Sequence, residues 1–251
     1  MKADIDYKTK IALDYANDAK NSLTLLIEML EKQTVSVNKI IVINTEEKYM
    51  DAFCAGNRFM SEHKKLSVHH ISQREFDHGK SRNMGAKRSD ADILVFMTQD
   101  VVLSSPDSLQ KLVDYLESNF LAGCYGRQRS LHGKTYDRWQ REHCYSGESF
   151  ICSRENIPED GLSAAFFSDA FAVWKIPVIL KYGAFPDTEF GEDTLLAAKL
   201  LMNGEKTGYC AGAECIHEHE DSFSGLWIRG YQVGQMHRKN PWFLKTFKIM
   251  A

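Results

Sequence analysis

The apolar run Ile93, Leu94, Val95, Phe96 and Met97 stops abruptly at Thr98, Gln99 and Asp100, and no other stretch of the 251-residue chain constrains the fold as tightly. A short unbroken run of β-branched, aliphatic and aromatic residues suits a strand covered on both faces. A carboxylate at the strand's end is badly placed for a core and well placed for a ligand. Similar strands are expected at 10–15, 39–44, 65–72 and 92–97. Helical patterns separate them. Residues 17–33 carry Leu23, Leu26, Ile27 and Leu30 on one face, and 46–63 and 81–89 also look helical. A further helix comes next, with Ser105 suited to its N-cap, Pro106 to its first position, and Leu109, Leu112, Val113 and Leu116 to its apolar face. This alternation predicts an α/β fold with a mainly parallel central sheet. Ligands of such sheets bind beyond the carboxyl ends of the strands, where Asn44 and Asp100 lie.

The second half is less regular. Residues 125–149 are polar, aromatic and basic, with weak periodicity. An apolar strand is expected at 164–175 and a helix at 191–206, opening with Glu192 and Asp193 and closing at Gly204. Residues 206–220 read as a strand or hairpin that ends in histidines. Without a visible linker, one domain over 1–251 is expected.

Composition removes several classes. The net charge is −3 with neutral histidines, so this is no polybasic nucleic-acid binder. The first twenty residues contain no signal-like apolar core, and no run reaches membrane-spanning length, which predicts a cytoplasmic protein. The six cysteines form no C-x-x-C pair, and reduced thiols are expected.

Each chemical motif has two readings. Asp100 could hold a divalent cation against a diphosphate, or be a solvated acid capping the next helix. His217 and His219 point to one side of a strand, as metal ligands would, or form a polar strand end on the surface. Glu192 and Asp193 could include a general base, or merely complement a helix dipole. Lys80, Arg82 and Asn83 precede a helix and suit a phosphate, or an ordinary basic turn. The tail from His237, with Trp242 to Phe247, could lie on a membrane surface or pack as a terminal element.

Order combines these weak signals. The segments "FDHGKSRNMGA", "ILVFMTQDV", "YGRQ", "FFSDAFAVW", "YGAFPDTEFGEDTLLAAKLLMNGEKTGYCAGAECIHEH" and "GYQVGQMHR" resemble family 2 glycosyltransferases of the GT-A fold, particularly the rhamnosyltransferase-like branch. The resemblance implies a nucleotide-sugar-binding half to about residue 120 and an acceptor-binding, catalytic half after it. It implies Asp193 as general base and Asp100 with His217 (His219 as second choice) as ligands of Mg²⁺ or Mn²⁺. Thr98 stands where the family usually has a first acid. Tyr15, Asn44, Lys80, Arg82, Asn83 and Gln99 would contact the donor. Arg127, Asp169 and Glu192 would belong to the acceptor region. The implied reaction is inverting transfer of a sugar to a cell-surface glycan precursor, soluble or lipid-linked, with weak peripheral membrane contact. The rival readings are a sugar nucleotidyltransferase and a non-catalytic nucleotide- or carbohydrate-binding protein.

Overall fold

The computed structural model of the chain describes residues 20–130, 135–218 and 222–248. The expected strand at 10–15, with Tyr15, and the expected ligand His219 lie outside the described residues. In chain order the elements are α1 (Lys20–Glu31), β1 (Ile40–Thr45), α2 (Glu47–Ala55), α3 (Arg58–Ser61), β2 (Leu66–Ile71), α4 (His78–Lys87), β3 (Ile93–Met97), β4 (Val102–Leu103), α5 (Ser108–Ser118) and β5 (Gly123–Arg129). Next come α6 (Thr135–Cys144), β6 (Phe150–Cys152), α7 (Ile157–Asp160), β7 (Phe171–Lys175), α8 (Ile176–Lys181), α9 (Glu192–Met202), β8 (Thr207–Ile216), α10 (Phe223–Lys239) and α11 (Pro241–Thr246).

The amphipathic pattern of α1 explains its docking: Leu23, Leu26, Ile27 and Leu30 are all buried. β1 and β2 pair in parallel, from Ile40 opposite Leu66 to Thr45 opposite Ile71. A second sheet has the order β3-β7-β5-β8-β4, with β6 also pairing with β8. Among the described residues its β5–β8 pairing is parallel, while β3–β7, β5–β7, β4–β8 and β6–β8 are antiparallel. The α/β class stands, but the expected mainly parallel sheet is a mixed one. The reason is that an antiparallel strand covered on both faces has the same continuous apolar run as a parallel one. Ile93, Val95 and Met97 of β3 enter a core with α1 and α5. Leu94 and Phe96 enter a second core with α8 and α9. β7 alternates in the same way, with Phe171 and Val173 on one side and Ala172 and Trp174 on the other.

Several boundaries differ from the sequence reading. The helix expected from Ser105 starts at Ser108, because Pro106 lies in a turn whose carbonyl accepts from the Thr34 N–H at 2.8 Å. The strand expected from residue 164 starts at Phe171, since Gly161–Ala165 form a 3-10 turn. The 46–63 helix breaks into α2 and α3, where the Asn57 side chain accepts from the Met60 N–H and starts a new helix. Gly204 ends α9 in the left-handed region (φ 82°), with its N–H donating to the Leu201 carbonyl at 3.0 Å. All six cysteines are free thiols. Among the described residues no helix is long and apolar enough to cross a membrane.

Two glycines set how α9 approaches α4. A Cβ on Gly79 would lie 2.2 Å from the Pro186 carbonyl oxygen, so only glycine lets α4 lie against the loop before α9. Gly191 takes φ 75° and turns that loop into the first turn of α9. Asn83 fixes the loop from α4, donating to the Phe185 carbonyl at 2.8 Å and accepting from its N–H at 3.0 Å. The acids that open α9 are thereby brought over Arg82.

Candidate active site

β4 pairs with the end of β8, Val102 opposite Ile216. This pairing brings Asp100, just after β3, to His217, just after β8. His217 Nε2 lies 3.3 Å from Asp100 Oδ2. The imidazole is buried, whereas the carboxylate is 45% exposed. His217 Nδ1 lies 2.8 Å from Gln128 Oε1, and the same oxygen accepts from the Arg141 guanidinium. A guanidinium only donates, so that oxygen is an acceptor and His217 Nδ1 must carry the hydrogen. Gln128 uses its Nε2–H on Ser168 Oγ at 2.8 Å, which agrees with this orientation. In the neutral ring, Nε2 therefore carries a lone pair and faces a carboxylate oxygen. Two acceptors at that distance need a proton or a cation between them. An imidazole nitrogen and a carboxylate oxygen so placed are donors that would hold a divalent cation. Among the described residues no group of three His, Cys, Asp or Glu side chains is arranged to hold a metal ion by itself.

A second cluster forms under α9. Arg82 on α4 reaches Asp169 Oδ2 at 3.2 Å through Nε and pairs with Glu192 through its NH1 group. Asp169 is completely covered, and its Oδ1 accepts from the Trp174 indole N–H at 2.7 Å. Burial, reinforced by the charge of Asp193, lifts the Asp169 carboxyl to about 7 against the pull of Arg82. Asp193 accepts from the Asp169 N–H at 3.1 Å and from its neighbour's Thr194 N–H at 2.7 Å. His78, the first residue of α4, stands beside this group. Burial first, and then the charge of Arg82, push its imidazole down to about 4.

A cleft of about 540 Å³ joins the two clusters. Asp193, Glu192, Arg82 and His78 line one part of it, and His217, Gln128 and Arg141 another. Val233, Met236 and Phe243, from α10 and α11, complete the wall. A recess of similar size, about 590 Å³, at Glu31, Arg58, Phe59, Glu62 and Lys65, lies away from these groups between α1 and α3.

The other expected site residues divide. Asn44 is fully buried at the end of β1, its Nδ2 bonded to the Glu46 carbonyl and near His70 Nδ1. Gln99 is buried, with no partner for its Oε1 among the described residues, and Lys80 is exposed on the first turn of α4. Three others are engaged with protein partners. Asn83, expected at the donor, is a brace for Phe185, since both ends of its amide are occupied there. Arg127, expected at the acceptor, turns to Glu214 on β8 at 3.0 Å. Asp169, also expected there, lies beneath the cleft and touches Arg82 and Trp174 instead. Sequence reading missed His78, Gln128, Asp137 and Arg141. Gln128 did stand within the quoted "YGRQ", but Asp137 and Arg141, one helical turn apart and 3.6 Å from each other, lay in a stretch of weak periodicity.

The model of the Glycosyl transferase family 2 domain matches residues 16–182. The chain belongs to glycosyltransferase family 2. Over 232 residues it is 30% identical to the O-antigen chain rhamnosyltransferase RfbN of Salmonella typhimurium, covering 88% of this chain and 70% of that one. It is 31% identical over 180 residues to the O-antigen chain rhamnosyltransferase WbaN of Salmonella anatum, and covers 57% of its length. Among solved structures it resembles the mannosyltransferase PcManGT of Pyrobaculum calidifontis in complex with GDP-Man and Mn²⁺ (TM-score 0.61, 16% identity, 98% of this chain and 75% of that one). The family 2 chain thus has a GT-A fold, and its chemistry is glycosyl transfer.

Proposed function

We propose that this glycosyltransferase moves a sugar, rhamnose as the first candidate, with inversion, from a nucleotide-sugar donor to a hydroxyl of a cell-surface glycan precursor. The carrying observation is the single cleft that has Asp193 on one wall and His217, held against Asp100, on another. Asp193 is the general base. Two backbone N–H groups orient it and leave lone pairs for the acceptor proton. As the acceptor oxygen bonds to the anomeric carbon, the sugar–phosphate bond breaks, its electron pair stays on the diphosphate, and the proton passes to Asp193. One base with no covalent nucleophile gives a single displacement and inversion.

Asp100 and His217 are the residues that would hold Mg²⁺ or Mn²⁺, which when bound supplies positive charge to the departing diphosphate. Gln128 and Arg141 hold the imidazole with Nε2 turned outward. Asn44, Gln99 and Lys80 remain the donor-side residues. Arg82 offsets the charge of Asp169 and Glu192 under the base. Rhamnose and the glycan acceptor rest on what RfbN and WbaN are named for, and the nucleotide sugar and cation on what PcManGT holds. The whole of residues 1–251 is read as one domain, working on the cytoplasmic side on a lipid-linked acceptor.

Incubation with a panel of nucleotide sugars tests the reading. Acceptor-dependent release of nucleoside diphosphate is expected, fastest with a rhamnose donor. Pyrophosphate exchange with a nucleoside triphosphate would instead indicate a nucleotidyltransferase. Binding of donors without release, acceptor present or absent, would leave a binding protein.

A further inference from the structure

The face of α10 that turns away from the cleft has no partner among the described residues, and it is aromatic. Phe223, Trp227 and Tyr231 succeed one another at four-residue spacing, which sets them in one row along the helix. They are 87%, 67% and 56% exposed. The Trp227 and Tyr231 rings stack, 5.9 Å apart and nearly parallel. Ile228 flanks the row, and Arg238 continues it one helical turn beyond Gly234. Trp242 and Leu244 of α11 add exposed apolar surface, whereas Phe243 and Phe247 are buried.

Charge selects the occupant. The chain has a net charge of −3, yet residues 222–248 hold Arg229, Arg238, Lys239, Lys245 and Lys248 and no carboxylate. Arg229 turns to the cleft, so a second copy seated face to face would oppose the other four cations with four more, and these residues offer no acid. An anionic surface with an apolar layer beneath it satisfies both the cations and the aromatic rings. We propose that this face of α10, with the exposed side of α11, docks on an anionic phospholipid bilayer. Arg229, Val233, Met236 and His237, on the other side of α10, line the cleft. Docking therefore sets the cleft about one helix diameter from the bilayer, on the order of 10 Å, within reach of a lipid-linked acceptor. The proposal deepens the proposed acceptor class, but its test needs neither donor nor acceptor, so the two can fail separately.

The test is co-sedimentation with sucrose-loaded vesicles of phosphatidylcholine alone, or with about 30% phosphatidylglycerol. The protein should pellet with the anionic vesicles and be released as salt rises. Trp227→Ser and Phe223→Ser should each lower the partition coefficient about tenfold, and the pair Arg238→Glu with Lys239→Glu should lower it at least as far. Both aromatic side chains are exposed, so circular dichroism melting should match the parent. Equal binding to neutral vesicles, no binding to either, or unchanged partition of a folded Trp227→Ser protein would each overturn the proposal. So would a concentration-dependent dimer in sedimentation velocity that Trp227→Ser abolishes, since this face would then join two copies.

Discussion

The two polar clusters in this cleft are assembled differently. Around His217 the order is linear: Asp137, Arg141, Gln128, His217, Asp100, with each donor facing an acceptor until the last pair. Around Arg82 the guanidinium pairs with two carboxylates, Asp169 and Glu192, a third, Asp193, is held by the Asp169 backbone, and His78 stands beside them. The first arrangement fixes one lone pair in space and ends at an exposed carboxylate. The second keeps an excess of negative charge near the cleft and holds it in place with a single buried cation. A linear chain suits a ligand that must be held, and a carboxylate excess suits a group that must take up a proton.

The sharpest test of this contrast is Asp193→Asn. It preserves size and the two backbone contacts but removes basicity. Sugar transfer should fall by roughly 10²–10⁴-fold, while nucleoside diphosphate affinity, measured by calorimetry, should hardly move. If Asp193 only complements the helix terminus, stability would fall by about 0.3–1 kcal/mol and the rate would stay near the parental one.

Arg82→Met probes the same cluster from below. With the guanidinium gone, Asp169 and Glu192 are buried without their cation, and unfolding in urea should show a loss of about 3–5 kcal/mol. Uptake of a proton by Asp169, already favoured by burial, would moderate it at acid pH. Were Arg82 a donor ligand on an ordinary basic turn, stability would be preserved and nucleotide affinity lost.

The linear chain should respond through the cation. Gln128→Met removes the acceptor that orients His217, so Mn²⁺-dependent affinity for nucleoside diphosphate should drop about 10–100-fold, with metal-free affinity unchanged. Gln128→Glu still accepts from both Arg141 and His217 and should recover most of the loss. An equal loss with and without Mn²⁺ would mean that Gln128 only packs the cleft.

How far the sequence reaches depends on distance along the chain. The α1 face at Leu23, Leu26, Ile27 and Leu30 and the β3 run are local periodicities, and both were legible. Strand direction was not, because β3 and β7 are covered on both faces whichever way they run. Asp100, His217 and Asp193 stood out as polar residues at element ends, and the cleft brings His217 and Asp193 to its walls, with Asp100 against His217. The partners of Arg82 were hidden for another reason. Asp169 and Glu192 lie 87 and 110 residues away from it, and nothing local distinguishes a buried cation from a phosphate ligand. The brace from Asn83 was hidden similarly, its partner Phe185 being 102 residues away.

The smallest expected effect concerns His78 and the pH dependence of stability. The folded imidazole is held down at about 4 by burial and by Arg82, whereas the unfolded one titrates near 6.5. As pH falls from the unfolded value toward the folded one, the unfolded chain binds a proton that the native chain does not. His78 thus contributes stability that is fully present above the unfolded value and declines toward the folded one. Asp169 acts in the opposite sense. Its raised carboxyl, at about 7, contributes stability below the usual carboxylate range and loses it as pH rises through the folded value. The two slopes oppose each other in mildly acid solution, so the parental profile should be flatter than either alone. His78→Asn removes one slope. Relative to the parent, this variant should gain about 1–2 kcal/mol on passing from about pH 7.5 to about pH 5. Urea unfolding at both pH values measures the difference. An identical gap between variant and parent at the two values would show that His78 takes up its proton equally in the folded and unfolded chain, and that the charge of Arg82 is fully occupied by its two carboxylates.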